Sequence, residues 1–73
     1  MNFTTDPNVD RALALADDAD DIIGDLESTI AAVRELQQRI NAGKITPADR
    51  ADLGGDMIAN LERASAYAIR VNG

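Results

Sequence analysis

Between Pro7 and Gly43 the chain has no further proline and a single glycine, Gly24. Apolar residues recur through that stretch at heptad spacing. Val9, Ala16, Ile23, Ile30 and Gln37 form one row, and Ala12, Ala19, Leu26, Val33 and Ile40 form the row three positions on; nine of these ten positions are apolar. A strand alternates every second residue and cannot gather such a pattern on one face, whereas an α-helix does so directly. Leu15, Ile22 and Leu36 widen the stripe on one side, as in a helix of a bundle rather than of a two-stranded zipper.

The punctuation agrees. Asp6-Pro7 reads as an N-cap followed by a first-turn proline, whose missing N–H costs nothing there. Gly43 stands where a helix C-terminus wants a left-handed residue. After Lys44-Ile45, the run Thr46-Pro47-Ala48-Asp49 supplies a second N-cap, a second first-turn proline and a capping box with Asp in place of Glu. A second helix follows to about Val71, with Leu53, Met57, Leu61, Ala64, Ala68 and Val71 as its stripe and Ile58 on the flank. A link this short joins antiparallel neighbours. The expected fold is therefore all-α, an antiparallel helical hairpin of about 18–42 and 47–71 with an N-terminal helical extension. Residues 1–5 read as a flexible tail and 6–73 as one helical-hairpin domain.

The acids Asp17, Asp21 and Asp25 leave a choice open. In one continuous helix they stack at i,i+4 and repel. If a new helix starts near residues 16–20, the same acids sit at its positive N-terminus. Gly54-Gly55 would weaken the early turns of the second helix, so an irregular start is expected there.

Two helices enclose little. Of 33 hydrophobic residues in this 73-residue chain, 13 are alanine, and a chain of this size buries only about 60% of its unfolded surface. On a lone hairpin Leu15, Ile22, Leu36, Leu53 and Ile58 are expected to remain partly exposed and to form an oligomer interface, giving a helical bundle as a homodimer or higher homo-oligomer. Gln37, in a core row, fits either a register-setting polar residue or a position near the open hairpin tip.

The absence of Cys, His and Trp removes disulfides, thiolate metal sites, the commonest general base and most hydrolytic triads. Ser28 and Ser65 have no activating partner. No cofactor is implied, and an enzyme is not expected. The acidic run around Asp20 lacks the glycine and glutamate offsets of a calcium loop, so no metal is expected.

The net charge of −6 lies entirely in the first 28 residues, which carry eight acids and one base; residues 29–73 sum to +1. Such asymmetry marks an interaction surface and disfavours direct contact with nucleic-acid backbone. The expected function is a small acidic non-catalytic protein-interaction module, an inhibitor or regulator of the size common among phage and mobile-element proteins. It would dock Asp17, Asp18, Asp20, Asp21 and Asp25 on a basic groove of another protein. A second reading is an oligomeric sponge that holds a small anionic nucleotide against Arg63, Tyr67 and Arg70, spaced i, i+4, i+7. Leu61–Ala68 resembles, over eight residues, the second helix of phage-encoded helical-hairpin sponges that sequester cyclic nucleotides. A third reading is a structural dimeric adaptor. With no signal-like start and no long apolar run, a cytoplasmic protein without membrane contact is expected.

Overall fold

The computed structural model describes residues 6–73; the expected tail at 1–5 lies outside the described residues. Two helices make up the described chain: α1, Pro7–Asn41, and α2, Pro47–Asn72. They lie side by side as an antiparallel hairpin, a thin rod of 66 × 15 × 14 Å. The all-α hairpin expected from the heptad pattern is what forms.

The helix ends follow from the residues that flank them. At the start of α1 the Asp6 carboxylate accepts the Asn8 N–H at 3.0 Å, and Pro7 takes the first helical position. At its end Gly43 adopts φ +66°. That conformation lets the Lys44 N–H reach the Arg39 carbonyl at 2.9 Å and the Gly43 N–H reach the Ile40 carbonyl at 3.0 Å, a Schellman closure. The capping box of α2 is reciprocal: the Asp49 N–H donates to Thr46 Oγ1 at 3.1 Å, and the Thr46 N–H donates to Asp49 Oδ2 at 3.2 Å. Aspartate is long enough for this role.

One open choice about local breaks is resolved and one expectation is corrected. α1 runs through residues 16–20 without interruption. The stacked acids are tolerated because α2 supplies cations opposite two of the neighbouring carboxylates, at Asp18 and Asp25. α2 is likewise regular through Gly54 and Gly55. A Cβ at either position would meet nothing within 4 Å, so no close approach inside the hairpin requires those glycines.

The larger correction concerns which stripe faces inward. The seam of α1 is Leu15, Asp18, Ile22, Asp25, Thr29, Ala32, Leu36 and Arg39. It meets Asp49, Leu53, Met57, Asn60, Ala64 and Tyr67 of α2. Of the five residues expected to stay partly exposed, Leu15, Ile22 and Leu36 lie half-buried along the seam, Leu53 is buried in it, and Ile58 stays exposed. Conversely, the rows expected to be core point outward: Val9, Ile23, Leu26, Ile30, Val33 and Ile40 are all exposed, as is Gln37. Apolar occupancy alone ranks the rows wrongly, because polar residues interrupt the true seam and find partners across it.

The seam is narrow. Ala32, Leu53 and Asn60 are its buried residues, and no large side chain is completely enclosed. Stability therefore depends on few contacts. Leu53→Ala is expected to cost about 2 kcal/mol, and Thr46→Ala about 1 kcal/mol through the lost cap. Urea unfolding followed by circular dichroism at fixed protein concentration measures both, and the order reverses if the cap outweighs the seam.

Candidate functional site

Each step along a helix turns 100°. Because α1 and α2 are antiparallel, one step past the seam turns toward the same side of the hairpin in both helices. On α1 these positions are Ala16, Ala19, Ile23, Leu26, Ile30, Val33, Gln37 and Ile40. On α2 they are Arg50, Gly54, Ile58, Leu61, Ser65 and Ala68. Together they form one face, two helices wide, on which Arg50, at the turn end, is the one charged residue. Its side chains stand open: Ile30 retains 51% of its accessible surface and Ile58 60%. One step before the seam the polar residues Asp17, Asp21, Ser28, Glu35, Gln38, Asp52, Asp56 and Arg63 stand among alanines and Gly24. The hairpin thus has an aliphatic face and a polar face back to back.

The two groups of candidate binding residues meet each other. Asp25 receives Arg63 in a two-pronged contact, Nε to Oδ2 at 2.8 Å and Nη2 to Oδ1 at 3.0 Å, the geometry that suits a guanidinium and a carboxylate best. Arg63 Nη2 also donates to Asn60 Oδ1. Asp18 Oδ2 lies 2.7 Å from Arg70 Nη1. Between the two pairs, the Tyr67 hydroxyl donates to the Leu15 carbonyl at 2.7 Å, and the Arg70 guanidinium stands 5.9 Å from the Tyr67 ring centre. The proposed ligand-binding Arg63, Tyr67 and Arg70 are all engaged by the chain itself. So are Asp18 and Asp25 of the proposed partner-binding set. Asp17, Asp20 and Asp21 are exposed, and among the described residues they form no salt bridge.

At the hairpin tip Arg39 bridges Glu35 at 2.6 Å and Asp49 at 2.9 Å. This third cross-helix pair keeps the register of the other two: the residue numbers of each pair add to the same total. The signal is present in the sequence, since Asp18 and Asp25 are spaced by one heptad and so are Arg63 and Arg70. Thr29, whose hydroxyl donates to the Asp25 carbonyl at 3.0 Å, and the buried Asn60 carry no such signal; only the fold shows that they belong to the seam.

No group of three or more acidic side chains among the described residues is arranged to hold a metal ion. No helix is long and apolar enough to cross a membrane among those residues.

The ion pairs set the pH response. The Arg63 hydrogen bond holds the Asp25 carboxyl below the usual carboxylate range. The Thr46 backbone N–H, helped by the Thr46 hydroxyl and Arg39, does the same for Asp49. A carboxyl with a lowered folded-state pKa stabilises the fold above its unfolded value, about 3.9. That stabilisation is lost as pH falls through the lower folded value. Hairpin stability is expected to hold from neutral pH to about 5 and to decline below about 4. Asp25→Asn should be less stable at neutral pH and show a shallower decline. Urea midpoints across that range test this; a rise in stability on acidification would mean that relief of repulsion among the clustered acids outweighs the pairs.

No protein-family model matches the chain, and neither the curated proteins nor the solved structures contain a match to it.

Proposed function

We propose that the protein is a non-catalytic protein-interaction module, an inhibitor or regulator that presents carboxylates on the N-terminal half of α1 to a basic site of another protein. The observation that carries this reading is the division of labour among the acids. Asp18 and Asp25 hold the hairpin together, whereas Asp17, Asp20 and Asp21 remain exposed on a rigid helix. A carboxylate array on a preordered scaffold binds a cationic groove with little loss of chain entropy and attracts it from a distance.

The division also sets the right experiment. Substitution of all five acids would break the seam. The triple variant Asp17→Asn/Asp20→Asn/Asp21→Asn leaves the ion pairs intact. It is expected to keep wild-type helicity and thermal midpoint while losing salt-sensitive capture of its partner from host lysate. Capture at wild-type level by that variant would overturn the acidic-docking reading.

The nucleotide reading has less support. An anion approaching Arg63 and Arg70 must displace Asp25 and Asp18, and the Tyr67 hydroxyl must leave Leu15. A thermal-shift panel of nucleotides is the direct test, with no upward shift expected. The adaptor reading draws support from a different part of the surface, the aliphatic face.

A further inference from the structure

We propose that the aliphatic face is covered by a second copy of this chain, two hairpins packing face to face into a four-helix bundle. The inference rests on the reading of the protein as an interaction module but does not require the acids to dock anywhere.

Three observations select this occupant. The first is residue quality. The hairpin's own seam sets Leu15, Ile22, Leu36, Leu53 and Met57 among alanines and polar pairs, whereas Ile23, Leu26, Ile30, Val33, Ile58 and Leu61 lie outside it with substantial exposed area. Branched aliphatics at heptad spacing are core-forming residues of helical bundles, and here they continue the heptad repeat of the seam one step around both helices.

The second is area. From Ala16 to Ile40 the face is roughly 36 Å long at 1.5 Å per residue, and two helices are about 20 Å wide. That is about 700 Å² from each copy, close to the roughly 800 Å² per partner of a stable interface. A patch of this size is at or beyond the upper end for soluble monomers, about 300–600 Å².

The third is charge. A chain at −6 would repel its own copy through most surfaces. The aliphatic face carries no acid and a single base, Arg50 beside the turn, and packing it against itself leaves Asp17, Asp21, Asp52 and Asp56 on the outward sides of the bundle. A basic protein finds no carboxylate on this face to pair with. An anionic membrane is disfavoured as well: the hairpin lacks the lysine- and arginine-rich border of an interfacial helix and carries acids behind the apolar face.

Sedimentation equilibrium on the full chain tests the proposal. The wild type should give a mass near twice its 7.8 kDa. Ile30→Asp should weaken the dimer at least about thirtyfold, as for a central interface anchor. Ser28→Asp, on the opposite face, should leave the dissociation constant within about twofold. If Ile30→Asp loses helicity, the milder Ile58→Ser, with its cap and seam untouched, supplies the same comparison. A wild-type monomer at high micromolar concentration overturns the proposal. So does a dimer indifferent to Ile30 and Ile58 but broken by Ser28→Asp, or a monomer that binds neutral phosphatidylcholine vesicles. A monomeric wild type whose partner capture still depends on Asp17, Asp20 and Asp21 would remove the bundle and leave the interaction module standing.

Discussion

The rotation of each helix about its own axis is settled by ion pairs. Asp18 with Arg70, Asp25 with Arg63 and Arg39 with Asp49 bind the two helices at heptad intervals. None of these pairs is strong by itself, since all are solvent-accessible and exposed pairs contribute little. Their weight comes from their common register. A slip of one residue would break all three and turn the cations toward aliphatic neighbours. With that seam chosen, the aliphatic rows have no place to go but outward. The open face is thus a consequence of where the charges had to meet.

This explains which parts of the fold could be read from the residues alone. Caps are local chemistry: Asp6, Gly43, Thr46 and Asp49 act within one turn of where they stand, so the helix ends were legible. So was the antiparallel pairing, from the shortness of Gly43-Lys44-Ile45. The seam was not, because an apolar count treats Asp18, Asp25, Thr29 and Arg39 as interruptions when they are contacts. The complementary heptad of Asp18 and Asp25 against Arg63 and Arg70 would have corrected the assignment, had charge been paired across helices rather than summed along the chain.

The same seam reshapes the candidate sites. Five acids that look equivalent in sequence divide into two that bind inward and three that do not. An arginine–tyrosine–arginine triplet that looks like a ligand cradle is already occupied by the chain's own carboxylates and a carbonyl. Buried Asn60, bonded to Arg63, ties that triplet into the seam. Binding chemistry read from composition survives only where the fold leaves it unsatisfied, and here that means the exposed acids and the aliphatic face.

A single short turn joins the helices, and it grades the molecule along its length. The Arg39–Asp49 pair closes a short loop beside the turn. Arg63 and Asp25 are 38 residues apart, nearly four times as far, which adds about 1 kcal/mol of closure entropy. Tyr67 reaches Leu15 across 52 residues. On closure entropy alone, contacts beside the turn cost least to form and those at the far end cost most. The entropic cost of holding the helices together is therefore greatest at the end where the negative charge is densest.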